Sequence, residues 1–74
     1  MDFFINQTGQ RSVLVGGVRS LLEFGLERVV LSVPGAVVEV CGEKLGIGRF
    51  DQNEITVTGR IESVTTTKRS GRGV

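Results

Sequence analysis

Histidine, tryptophan and tyrosine are absent from this 74-residue chain, and cysteine and proline occur once each. Without histidine there is no imidazole base, no Ser-His-Asp triad and no histidine ligand for a metal ion. The one cysteine, Cys41, cannot form a disulfide within the chain or a multi-cysteine zinc site. Its apolar neighbours and the lack of an adjacent base predict a small packed side chain rather than a nucleophile. We therefore expect no enzyme activity, no cofactor or metal ion, and no small-molecule substrate.

The charge balance and the hydrophobic runs exclude several further classes of protein. Nine Lys and Arg residues against eight Asp and Glu residues leave a net charge of +1, so no strong field attracts a polyanion. No segment approaches the ~18 apolar residues of a membrane span. Asp2 and the short apolar run after it do not fit a signal peptide. A free cysteine fits a reducing compartment, so the expected location is the cytoplasm.

The apolar residues that are present recur with a period of two, which is typical of strands with one buried face. The pattern predicts an all-β antiparallel meander of about six short strands, near residues 12–15, 18–24, 27–33, 36–41, 44–49 and 54–65. The alternative for 21–26 is a short helical turn. Turn chemistry separates the runs, and the predicted turns are at Pro34-Gly35, Gly42-Glu43-Lys44 and Asp51-Gln52-Asn53.

The same pattern divides the chain into three parts. Residues 1–11 form an N-terminal arm, which is either mobile or an added strand, and residues 12–66 form the β-domain. Residues 67–74 contain Lys68, Arg69 and Arg72 together with two glycines, which predicts a disordered basic tail.

One apolar sheet face has no helix to cover it, because the chain contains no amphipathic helix. The sheet must fold on itself as a small barrel or sandwich, or pack on another copy, and we expect self-association. The residues predicted to form this buried, self-associating face are Val29, Leu31, Val38, Val40, Leu45, Ile47, Ile55, Val57 and Ile61. Substituting Val57 by lysine is expected to abolish the assembled state. Turns or close approach of strands are expected at Gly35, Gly42 and Gly59.

Basic residues suggest an alternative, a small OB-like or Sm-like barrel that binds single-stranded nucleic acid beside Phe50. The possible contact residues are Arg49, Arg60, Lys68, Arg69 and Arg72. Acidic residues are interleaved with them and aromatic residues are few, so nucleic acid is the disfavoured partner. The basic tail could instead tether the chain weakly to an anionic membrane surface.

Four runs of the sequence resemble the YabP/YqfC family of sporulation proteins over about residues 12–65. They are Leu22-Glu23-Phe24, Val29-x-Leu31-x-Val33-x-Gly35, Val38-x-Val40-x-Gly42-x-x-Leu45-x-Ile47 and Ile55-x-Val57-x-Gly59-x-Ile61-x-Ser63-Val64. The resemblance implies a small β-rich protein of endospore formation, with a structural or assembly role at the spore envelope or coat. It brings no catalytic residues, because the matched positions are aliphatic residues and turn glycines.

Together these observations predict a homo-oligomeric structural protein in the cytoplasm of a sporulating cell, or at the periphery of the spore membrane or coat. Other sporulation proteins are further expected partners. Besides the nucleic-acid-binding barrel, a shell or filament subunit unrelated to sporulation remains an alternative, because it would self-assemble in the same way.

Overall fold

A computed structural model describes residues 3–68, and within that range it contains six strands and no helix. The strands are β1 (Phe4–Thr8), β2 (Ser12–Gly16), β3 (Ser20–Phe24), β4 (Arg28–Val33), β5 (Ala36–Asp51) and β6 (Glu54–Lys68). They form one antiparallel sheet in the order β1-β2-β6-β5-β4-β3. The predicted all-β antiparallel fold is confirmed.

Two strands are much longer than the others and divide the sheet into halves. β5 has 16 residues and β6 has 15, whereas the other strands have five or six. Of the long strands, β6 pairs with β2 only along its start, at 54–58, and β5 pairs with β4 only along its start, at 36–41. We call β1, β2, the start of β6 and the end of β5 the first half. The second half comprises β3, β4, the start of β5 and the end of β6.

The two halves fold over each other and enclose the core. The buried side chains of both halves belong to one cluster, although a single flat layer would leave them in water. The cluster consists of Val13, Val15, Val18, Val29, Leu31, Val33, Ala36, Val38, Val40, Leu45, Ile55, Val57 and Ile61. Main-chain hydrogen bonds hold the bend: Gly42 N–H donates to the carbonyl of Glu27 (3.1 Å) and Ile61 N–H to that of Gln10 (2.8 Å).

Two of the predicted turns are present, each with the backbone that its residues favour. Gly35 has φ +75° after Pro34, as the third position of a type II turn requires. Gln52 and Asn53 have φ +46° and +69°, which is the pattern of a two-residue type I′ hairpin between β5 and β6.

The predicted turn at Gly42-Glu43-Lys44 is wrong, because β5 continues through it. The register of β5 against β6 shifts there instead, between Cys41 and Gly42 and again between Glu43 and Gly46. Residues suited to positive φ bend a strand as readily as they reverse it. Here they bend β5 and β6 together, which keeps the two strands paired along their length and folds one half over the other.

The ends of the chain also differ from the expected boundaries. Residues 4–8 are the added strand of the two alternatives, since β1 pairs with β2 in five consecutive positions. Residues 20–24 form β3, so the helical turn over 21–26 is wrong. β6 continues to Lys68, which is opposite Ala36, so the predicted basic tail begins inside a strand. The remainder of that tail, 69–74, lies outside the described residues.

Candidate functional site

The nine residues predicted to form a self-associating face are enclosed within one chain. Eight of them are buried, and Ile47 is half-buried against the same core. Because the bent β5 and β6 fold one half of the sheet over the other, this face is already covered. Self-association through these side chains would require the fold to open, so the surface available to a partner lies elsewhere. The sequence-based analysis missed five further members of this core: Val13, Val15, Val18, Val33 and Ala36.

The predicted glycine positions serve different purposes. Gly35 is in a turn, as described above. Gly42 and Gly59 lie where β5 and β6 approach closely at the bend. A Cβ atom on Gly42 would be 1.9 Å from the carbonyl oxygen of Arg60, and one on Gly59 would be 2.6 Å from that of Lys44.

The three predicted basic contacts that the structure describes, Arg49, Arg60 and Lys68, do not converge on one surface. Arg49 is opposite Thr56 near the β5–β6 turn, Arg60 is at the bend, and Lys68 is at the far end of β6. At about 3.3 Å per residue, Arg60 is about 26 Å from Lys68 along the strand. Arg60 also has an ion-pair partner, Glu43, at 3.5 Å. Arg69 and Arg72 lie outside the described residues.

Acidic and thiol groups do not gather into a recognisable metal or catalytic site in residues 3–68. No group of three or more Cys, Asp or Glu side chains in this range could hold a metal ion. Cys41 is half-buried, and its thiol donates to Glu39 Oε2 at 3.6 Å. Likewise, the part of the chain that the structure describes contains no helix able to cross a membrane.

One polar cluster lies on the outer surface of the second half. Arg28 donates through Nη1 to Glu23 (2.8 Å) and through Nε to Glu39. Val30, which is only 7% exposed, is opposite Glu23 of β3 on one side and Glu39 of β5 on the other, so Arg28 joins the two carboxylates that flank it. The sequence-based analysis missed this cluster, because the bulge at Leu22 sets which residues are opposite Val30.

This contact lowers the pKa of Glu39 below its ordinary value. The hydrogen bond from Arg28 is the largest cause, partial desolvation opposes it, and the Arg28 charge adds a smaller contribution. The same bond raises the pKa of Arg28. Since the folded state favours the carboxylate, Glu39 contributes stability above its unfolded pKa, and this contribution is lost as the pH falls through the lower folded value.

We expect the Glu39→Gln variant to lose less stability on acidification than the native chain. The difference should develop as the pH falls from the ordinary glutamate pKa of about 4.3 through the lower pKa of Glu39 in the folded chain. Urea unfolding of both proteins at pH 7, 5 and 3 measures the difference, because the two chains differ only at residue 39. Parallel stability curves for the two proteins would contradict this role of Glu39.

The folding of the sheet leaves four strand segments with one side unpaired by any strand of the described chain. These are β1, β3, the end of β5 at 46–51 and the end of β6 at 62–68. An unpaired side presents backbone N–H and C=O groups that can pair with another chain. β3 is exposed at every residue, and large apolar side chains accompany it: Leu22 is 53% exposed, Phe24 51% and Leu26 69%.

These features define a small all-β protein with a closed core and open sheet edges as its most distinctive surfaces. The chain belongs to the YabP family, whose model matches residues 4–73. Membership of this family is consistent with a role related to sporulation. A search of the curated proteins found no match to the chain.

Proposed function

We propose that this chain is a non-enzymatic structural protein of endospore formation that acts through homo-oligomerisation of its β-sheet domain. The observation that carries the proposal is the set of four open strand segments around a core that the chain covers by itself. Because the chain already covers its own core, a second copy cannot add stability by packing against the core side chains. Its edges, in contrast, gain main-chain hydrogen bonds and bury apolar side chains when copies associate.

The proposed place of action is the envelope or coat of the developing spore. The family supports the link to sporulation, and open edges suit a protein that adds copies to a growing layer. The chain would act in the cytoplasm of the sporulating cell, at the periphery of the spore membrane or coat. Other sporulation proteins could pair with the same edges.

We expect the purified chain to have a mass that is a multiple of 8.0 kDa and that increases with protein concentration. Because main-chain pairing and apolar contact drive the association, the mass should change little between low and high salt. Light scattering over a range of concentrations measures it. A monomer at every concentration would contradict the proposal and would make single-stranded nucleic acid the next ligand to test.

A cellular experiment tests the sporulation part of the proposal separately. Deleting the gene in its own host should reduce the yield of heat-resistant spores without affecting vegetative growth. A variant that folds but stays monomeric should fail to restore the yield. Full restoration by such a variant would separate sporulation from assembly and would overturn the proposed mechanism.

A further inference from the structure

Three of the four open edges have features that discourage pairing with another chain. β3 has a bulge between Leu21 and Glu23 and carries the charge of Glu23. The end of β5 has a register shift between Ile47 and Arg49. Where the end of β6 begins, its register against β5 shifts between Ile61 and Ser63. Further along, Lys68 is opposite buried Ala36, on the inner face of the sheet. Bulges, charges and inward-pointing lysines are the devices by which natural sheets protect their edges.

β1 has none of these protective features. Its five residues pair with β2 in an unbroken register, from Phe4 opposite Gly16 to Thr8 opposite Ser12. The segment Phe4–Thr8 contains no charged residue, no proline and no glycine. The Phe4 ring lies over Gly16, where an added Cβ would be only 2.1 Å from the ring. This contact anchors the start of the strand, so β1 is a regular and uncharged edge.

The composition of β1 makes a second copy of the same strand a suitable partner. Because Phe4–Thr8 carries no charge, two copies of β1 can pair without placing like charges opposite each other. Antiparallel pairing is favoured over parallel pairing because its main-chain hydrogen bonds are slightly more stable per residue.

We propose that β1 pairs with β1 of a second copy, antiparallel, about a two-fold axis at Asn6. This inference rests on the proposed function and names the edge that the first association step uses. The register that pairs all five residues of both strands places Asn6 opposite Asn6 and Phe4 opposite Thr8 of the second copy. It also keeps Ile5 and Gln7, which share the inner face, on the same side of the joined sheet. The first halves of two copies then form one continuous eight-stranded sheet.

Cysteine cross-linking in the full chain tests this register. In a Cys41→Ser background, Asn6→Cys places two thiols directly opposite each other, at a Cα separation of about 4.5–5.5 Å. That separation is within the range of a disulfide. Leu22→Cys, on the exposed β3 edge, is the matched control. We expect the Asn6→Cys chain to form a covalent dimer under mild oxidation at least tenfold faster than the Leu22→Cys chain.

The outcomes separate this inference from the proposed function. If the native chain associates but Leu22→Cys cross-links as fast or faster, β1 is not the pairing edge and the proposed function stands. The same holds if neither cysteine cross-links although the native chain is oligomeric. A monomeric native chain would overturn both.

A charge placed at the two-fold axis gives an independent measurement. Asn6→Lys puts two lysines opposite each other in the dimer, whereas the monomer should be unaffected because Asn6 is exposed. We expect the dissociation constant of the dimer to increase at least tenfold, and the increase to shrink at high salt. Leu22→Lys should leave the dissociation constant within twofold of the native value. Equal effects of the two substitutions would overturn the assignment to β1.

Discussion

The Val57→Lys variant is expected to be unfolded, or nearly so, at neutral pH. Val57 has no exposed surface and lies on β6 between Val13 of β2 and Ile47 of β5. A lysine buried among such side chains has its pKa lowered by up to about 3–5 units, which corresponds to roughly 4–7 kcal/mol. A chain of this length has a total stability of about 4–11 kcal/mol, so one buried charge removes most of it.

The sequence alone predicts that this substitution abolishes the assembled state, and the enclosed position of Val57 extends the expected effect to the monomer. Since Val57 is enclosed within one chain, the lysine should destabilise the monomer itself. Far-UV circular dichroism and urea unfolding at low protein concentration distinguish the two cases. A folded monomer that has lost only its ability to associate would show that this face is open in solution.

Two controls make the Val57→Lys experiment specific. Thr58→Lys places the same charge on the next residue of β6, whose side chain is on the opposite face and half-buried. It should cost about 1 kcal/mol or less. In addition, the stability of the Val57→Lys chain should increase as the pH rises above the lowered folded pKa of the lysine, because there the unfolded state binds more protons than the folded state.

The sequence was sufficient to predict the strand character of most of the chain, two of the turns and most of the core. A period of two identifies which residues share a face, and Pro34-Gly35 indicates a reversal wherever the strands go. Neither property is specific to a tertiary arrangement, since both follow from local backbone preferences. For this reason the eight buried residues could be named before it was known what covers them.

The bend and the edges could not be predicted in this way. Gly42 and Lys44 suit a reversal and a bulge equally well, and only the pairing of β5 with β6 decides between them. That pairing joins residues far apart in sequence, such as Cys41 and Ser63. β1 was left open between a mobile arm and a strand because its short run of β-forming residues has no alternation. The pairing partners of an element also determine which of its sides remains open.

Gly42→Ala is expected to have the second largest effect, because the bend of the sheet depends on close backbone contact at this residue. A Cβ atom there would be 1.9 Å from the carbonyl oxygen of Arg60 and 3.0 Å from its carbonyl carbon. Both are main-chain atoms of β6, so they cannot rotate away as a flexible side chain would. Separating the strands would also weaken the bond from Gly42 N–H to Glu27. We expect a loss of about 3 kcal/mol in the free energy of unfolding.

Gly46→Ala is the matched control, four residues along the same strand. A Cβ atom on Gly46 would be 3.7 Å from Thr58 Oγ1, which is an ordinary contact, and Gly46 is not among the glycines with positive φ. Alanine restricts the unfolded chain more than glycine does, so this variant should be as stable as the native chain or more stable by about 0.5 kcal/mol. Urea unfolding of the two variants measures the difference. Equal stabilities would mean that the strands do not approach closely at Gly42, and the sheet would then need another cause for its bend.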